Sequence, residues 1–161
     1  MTPVLALFAF LCAALAGGDP ALSGTWELSA AASDSVEALL EAQGTGWIER
    51  KAAGSMSVTQ TITLSETAVT IAIDSSVKSE TQTLHVDGQP RAVTGEHGVS
   101  QVRHSWGSAG ELITRSEGPT AGGKAMVVTI TRSVSGGQLH QLIEMRIDGQ
   151  TIRADRVFVR P

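Results

Sequence analysis

The sequence predicts an all-β fold, a ten-stranded antiparallel up-and-down β-barrel capped by a short helix-turn-helix. Apolar and polar residues alternate over much of the chain after residue 56, which is the period of half-buried strands. Seventeen glycines supply many tight turns. Only residues 34–54 show helical spacing instead. A meander of about ten strands removes its edges by closing, and so wide a barrel encloses a cavity. An open two-sheet sandwich is the alternative.

The first sixteen residues are expected to be a signal peptide, with the barrel domain in residues 17–161. Residues 4–15 form an uninterrupted apolar run, which has the length of a secretory h-region and is shorter than the roughly 20 residues that span a bilayer. Ala14 and Ala16 are small residues suited to cleavage after Ala16. A lipoprotein signal at Cys12 and a buried N-terminal helix are the alternatives. Cleavage would leave a cysteine-free protein exported to the periplasm or the medium.

Composition excludes several classes of function. The chain has 12 basic against 16 acidic residues and a formal net charge of −4, so no basic surface predicts nucleic-acid binding. One cysteine cannot form a disulfide framework or a four-thiolate zinc site, and the four histidines lack metal-ligand spacing. We therefore expect no cofactor and no metal. The sequence holds no Gly-x-Ser-x-Gly, His-Glu-x-x-His or phosphate-binding motif, so we expect no enzyme activity.

The first elements follow from changes of period. Residues 22–28 alternate as in a half-buried strand, and Trp26 within them is predicted to be a core residue at the barrel floor. Asp34 is followed three residues later by Glu37, the spacing of a capping box. Helical spacing then predicts one short helix ending at Gly44.

A second short helix and a run of hairpins complete the prediction. Thr45 can cap the second helix, which ends at Gly54. From there, nine strands are predicted, separated by turns. Asp87-Gly88 and Asp148-Gly149 are two-residue hairpin signals, because glycine supplies the positive φ that a type I′ turn requires.

Arg132 and Arg156 each fall on the more apolar face of a predicted strand, which should be the barrel interior. A buried guanidinium needs an anion, other acceptors or internal water, and its planar fork suits a carboxylate. Gln141 is a single polar group on a third such face. The three inward faces are Met126, Val128, Ile130, Arg132 and Val134; Leu139, Gln141, Ile143, Met145 and Ile147; and Ile152, Ala154, Arg156 and Phe158.

The order of these elements resembles the intracellular lipid-binding family, which includes the fatty-acid-binding proteins and belongs to the calycin superfamily with the lipocalins. The resemblance rests on Gly24-x-Trp26, on the helix-turn-helix with its Arg50-Lys51 pair, and on the final strand, residues 151–160. It extends over residues 22–161. In the family's final strand an Arg-x-Tyr pair grips a ligand carboxylate, and Arg156 and Phe158 stand at those positions here. Arg132 falls where the family places its second carboxylate-binding arginine.

The resemblance implies a carrier of a small hydrophobic ligand, namely a fatty acid or a similar lipid with an acidic head group. The expected ligand-binding residues are Arg132, Arg156, Phe158, Ile130, Gln141 and Ile143. Phe158 lacks the tyrosine hydroxyl, so a neutral or bulkier lipid stays open. We expect a monomer that binds no nucleic acid and does not insert stably into membranes. The alternative is a secreted interaction or inhibitor protein that uses an empty barrel as its scaffold.

Overall fold

A computed structural model describes residues 17–161, so the signal peptide expected in residues 1–16 lies outside the described residues. Short 3-10 helices lie on either side of the first strand. The two α-helices are α1 (Glu37–Ala42) and α2 (Trp47–Gly54), and the strands are β1 (Gly24–Leu28), β2 (Val58–Leu64), β3 (Ala68–Ser75), β4 (Ser79–His85), β5 (Arg91–Gly95), β6 (Gly98–Trp106), β7 (Leu112–Pro119), β8 (Ala125–Ser135), β9 (Gln138–Ile147) and β10 (Gln150–Val159).

The ten strands form one antiparallel sheet in the order β4-β3-β2-β1-β10-β9-β8-β7-β6-β5. Consecutive strands pair, and β1 joins the last strand through Glu27 opposite Val159 and Leu28 opposite Phe158. The sheet is therefore continuous except between β4 and β5, which are its two edges. The predicted ten-stranded barrel with a helix-turn-helix is confirmed. Among the described residues, no helix is long and apolar enough to cross a membrane.

One of the two predicted Asp-Gly hairpins is wrong. Asp148 and Gly149 both have positive φ, 51° and 72°, and they connect β9 to β10 as a type I′ turn requires. Asp87 and Gly88 join β4 to β5, which do not pair. There the Asp87 carboxylate instead accepts hydrogen bonds from the Gln89 backbone amide and the Arg91 guanidinium, so it stabilises a local loop.

The predicted capping box is also wrong, because Asp34 bonds to a strand and not to the helix. Val36 occupies the N-cap of α1 without a side-chain hydrogen bond. The Asp34 carboxylate accepts from the backbone amide of Asp155 at 2.9 Å, and the Asp34 amide donates to the Asp155 carbonyl. Since β1 ends at Leu28, the segment before α1 takes over pairing with β10. We call residues 33–36 the strap.

Apolar side chains fill one end of the barrel. Trp26 is 1% exposed, as predicted, and its indole donates to the Leu22 carbonyl at 2.9 Å. The Arg160 guanidinium lies 3.7 Å from the centre of the indole ring, in a cation-π contact. We call the buried apolar side chains at this end the floor cluster, and its members are Leu22, Trp26, Ile62, Val69, Ile71, Leu84, Leu112, Leu139 and Phe158.

The helices cover the opposite end unequally. Leu39 of α1 is buried in a second apolar cluster with Met145, Ile147 and Ala154, so α1 is anchored on the strands. Helix α2 has no buried residue, and two of its apolar side chains, Trp47 and Ile48, are exposed. The mouth of the barrel is therefore closed firmly by α1 and only loosely by α2.

Candidate functional site

Strand register brings the polar residues of β8, β9 and β10 into one row. Arg132 lies directly opposite Gln141, and Gln141 lies directly opposite Arg156. Cross-strand partners share a face of the sheet, so all three belong to the same inner surface. We call these three residues the guanidinium row. It lies next to the floor cluster, because Leu112 is the partner of Arg132 on its other side.

Arg132 is buried in the barrel without a carboxylate partner. Its residue is 7% exposed, and its Nε donates to Gln60 Oε1 at 3.3 Å. Gln60 is itself 2% exposed, and its Nε2 donates to Gln141 Oε1 at 3.2 Å. Within residues 17–161, neither terminal nitrogen of the Arg132 guanidinium makes a hydrogen bond or ion pair. Two strong, charged donors are therefore free to receive an acceptor.

Burial lowers the pKa of Arg132 to about 10, because the charged form loses hydration that no protein anion replaces. The group is still a cation at neutral pH. A desolvated cation that has one neutral acceptor is costly for the empty protein, and an anion brought to it would recover part of that cost. A carboxylate fits these donors because two parallel N–H···O bonds can form.

Arg156 is half-buried, at the junction of the guanidinium row and the strap. Its Nη1 donates to the Asp34 carbonyl at 3.1 Å. Burial lowers the pKa of Arg156, and the Asp34 carboxylate partly opposes that shift. Arg156 is therefore tied to the strap through one nitrogen, and Arg132 is the more deeply buried of the two arginines.

The remaining predicted residues occupy two different levels. Phe158 is 3% exposed and belongs to the floor cluster below the row. Ile130 and Ile143 lie opposite each other one step above the row, toward α1. Both are only partly buried although they face the interior. These two side chains therefore keep accessible surface on the interior face.

Gln60 is the member of the site that the sequence prediction missed. It sits on the β2 face with Ile62, which is 1% exposed, so it faces the barrel interior. The signal was present in the alternation of Val58, Gln60 and Ile62 with threonines, which placed a glutamine on the apolar face. The pattern did not show that Gln60 meets Arg132 and Gln141. That contact requires β2 to pair with β1, so that Gln60 faces β8 and β9 across the lumen.

A cavity of about 410 Å³ opens at the mouth beside β2, β3 and β4. Ile73 contributes to its lining and is the cross-strand partner of Gln60. One lining residue of the cavity therefore lies at the level of Gln60. Its other lining residues are Met56, Val58, Ser75, Val77, Lys78 and Glu80.

Within residues 17–161, no group of three histidine, cysteine, aspartate or glutamate side chains could hold a metal ion.

Solved structures of lipid-binding proteins share this fold. The fatty acid binding protein of Schistosoma mansoni, in complex with arachidonic acid, is 20% identical and has a TM-score of 0.70 over 90% of this chain and 99% of that chain. Apo lipid binding protein 8 of Caenorhabditis elegans is 19% identical, with a TM-score of 0.70 and the same coverage. Human cRBP IV is 23% identical, with a TM-score of 0.64 over 87% of this chain and 98% of that chain.

No protein-family model matches the sequence, and no curated protein is significantly similar to it. The expected resemblance is confirmed at the level of the fold, which this chain shares with fatty-acid-binding and cellular retinol-binding proteins.

Proposed function

We propose that this protein binds and carries a small hydrophobic ligand, a fatty acid or a similar lipid with an acidic head group, inside the barrel. The head group would lie against Arg132, and the chain would extend toward α1 over the wall formed by Ile130 and Ile143. Arg156 and Gln141 would border the head group, and Phe158 would close the floor beneath it. The proposed role is non-catalytic.

The buried, unpaired guanidinium of Arg132 is the observation that carries this proposal. A folded protein seldom keeps such a group without an anion, because desolvation is expensive. Here the group also faces a lumen with apolar walls that side chains leave partly uncovered. Burial of an acyl chain there would add about 25 cal/mol per Å² of apolar surface. An acid with an apolar tail satisfies both features at once.

The loosely held α2 supports a route for the ligand. The exposed Trp47 and Ile48 of α2 and the exposed Val77 of the β3–β4 turn are apolar groups on the two sides of the mouth. Movement of α2 would widen the cavity that Val77 lines. We further propose that the carrier acts as a monomer, exported after cleavage following Ala16. Amino-terminal sequencing of the mature protein tests that cleavage, and an intact Met1 would contradict it.

Calorimetric titration tests the binding proposal. The protein, stripped of bound lipid, is titrated with a long-chain fatty acid and separately with its methyl ester, which keeps the tail and removes the charge. We expect saturable binding of one equivalent, with the acid bound at least tenfold more tightly, since a hydrogen bond to a charged group contributes about 1.5–3 kcal/mol. Equal affinities would contradict the acidic head group. An absence of binding by either compound would favour the empty scaffold.

A further inference from the structure

The inner surface of β6 and β7 carries polar side chains above the guanidinium row. His104 lies opposite Thr114, and its Nδ1 is 2.9 Å from the Thr114 hydroxyl oxygen. Ser116 is two residues further along the same face of β7. Ser100 faces the same way on β6, since a Cβ added to Gly118, its cross-strand partner position, would overlap the Ser100 hydroxyl. We call Ser100, His104, Thr114 and Ser116 the polar wall.

At the same levels, strands β8, β9 and β10 carry no polar side chain on that surface. The row of His104 and Thr114 continues into Ile130, Ile143 and Ala154. The next row runs from Ser116 into further apolar partners, Val128, Met145 and Ile152. We call the side chains of these two rows on β8–β10 the apolar wall. The lumen is thus mainly polar along β6 and β7, where Val102 opposite Ser116 is the apolar exception, and apolar along β8–β10.

The first polar pair lies close to the proposed head-group position. Residues two apart on a strand are about 6.7 Å apart, so the His104–Thr114 pair lies one such step above the level of Arg132 toward the mouth. A carboxylate held at Arg132 would bring the first half of its chain past this pair. A plain hydrocarbon there would displace water from these polar groups and replace none of their hydrogen bonds, which is unfavourable.

We propose that the preferred ligand is a hydroxylated or otherwise oxygenated fatty acid, whose chain oxygen hydrogen-bonds with His104 and Thr114 while its carboxylate lies at Arg132. This inference rests on the proposed function. The hydrocarbon edge of such a ligand faces the apolar wall, and its oxygen faces the polar wall. The fit comes from the lateral division of the lumen, which an unsubstituted acyl chain does not use.

The surroundings of His104 suit a neutral hydrogen-bonding partner. Arg91 on β5 and Arg132 on β8 are the cations that act on it, while Asp87 in the β4–β5 loop is the one acid and His85 on β4 the other imidazole. Burial and the two arginines lower the pKa of His104, which favours the uncharged ring at neutral pH. A neutral imidazole has one donor and one acceptor nitrogen. A hydroxyl group can pair with its Nε2 in either tautomer.

The experiment compares octadecanoic acid with a series of octadecanoic acids hydroxylated at successive carbons, by displacement of a fluorescent fatty acid. We expect the wild-type protein to bind at least one hydroxylated isomer about 2- to 10-fold more tightly than the parent acid, which is the range of one net hydrogen bond. Thr114→Val, which preserves shape and removes the hydroxyl, should abolish this preference. Thr131→Val on the outer face of β8 is the matched control and should keep the preference.

Each outcome bears on a separate claim. A wild-type protein that binds the parent acid at least as tightly as every hydroxylated isomer overturns the inference and leaves the carrier function intact. A preference that survives in Thr114→Val overturns the role of the polar wall. If no acid of the series displaces the probe, the proposed function itself fails. The wild-type comparison decides the inference even if a variant does not fold.

Discussion

Replacing Arg132 by methionine should separate stability from binding. Burial lowers the pKa of this arginine from its ordinary value to about 10 in the folded protein. At about 1.4 kcal/mol per pKa unit, the buried charge costs the empty protein about 3 kcal/mol below pH 10. Methionine removes that cost and keeps much of the stem, but it leaves Gln60 Oε1 without its donor, which costs about 1–3 kcal/mol. The free energy of unfolding of the empty variant should therefore stay equal or rise by about 2 kcal/mol.

The same variant should lose affinity for a fatty acid. Losing a hydrogen bond to a charged group weakens binding by about 10- to 100-fold. Urea unfolding at pH 7 measures the first effect and calorimetric titration the second. Arg153→Met is the control, because Arg153 is on the outer face of β10, paired with Glu144 at 2.8 Å, and should change neither quantity strongly. An Arg132→Met protein that is less stable by 2 kcal/mol or more and binds the acid normally would refute the reasoning.

Three further predictions concern neighbouring groups. Phe158→Tyr places a hydroxyl beside the proposed head group and should tighten fatty-acid binding by about 2- to 10-fold in the calorimetric titration. An unchanged affinity would mean that the head group lies elsewhere. Asp34→Ala removes the side-chain acceptor that joins the strap to β10 and should lower the free energy of unfolding by about 1 kcal/mol in urea. Ser35→Ala is the milder comparison, because the Ser35 hydroxyl oxygen accepts only from the exposed Glu37 amide at the start of α1. His104 has a lowered pKa in the folded protein, so the unfolded chain binds more protons and the free energy of unfolding should fall as pH drops below about 6.5. In His104→Leu the urea midpoint should change less over that range. An identical pH dependence in both proteins would contradict the lowered pKa of His104.

The fold could be predicted because its signals are local. Alternation along β2, β3 and β8–β10 reports which face of each strand is buried, and the Asp148-Gly149 turn reports a tight hairpin. The inward face of Arg132 and Gln141 followed from the same alternation. These features need only the chain on either side of each residue, and they were correct in the structure.

The capping-box error and the omission of Gln60 arise where distant segments meet. Asp34 has the sequence context of a helix cap, yet the unpaired backbone of β10 beyond the end of β1 competes for its carboxylate. Asp87-Gly88 has the composition of a hairpin, but the Asp87 carboxylate binds Arg91 and its loop turns away from pairing. Gln60 joins Arg132 only because the barrel closes. The partners of Asp34 and Gln60 lie far along the chain, whereas Asp87 bonds within its own loop.

Carbon-13 NMR of a bound fatty acid labelled at its carboxyl carbon tests the central claim most directly. If the head group lies against the buried Arg132 guanidinium, its ionised form is stabilised, and its chemical shift should stay constant well below the pH at which an exposed carboxyl titrates. In Arg132→Met the same signal should titrate near pH 5 or above, since the cation is gone while the burial remains. A carboxyl that titrates alike in both proteins would mean that no acid meets this arginine.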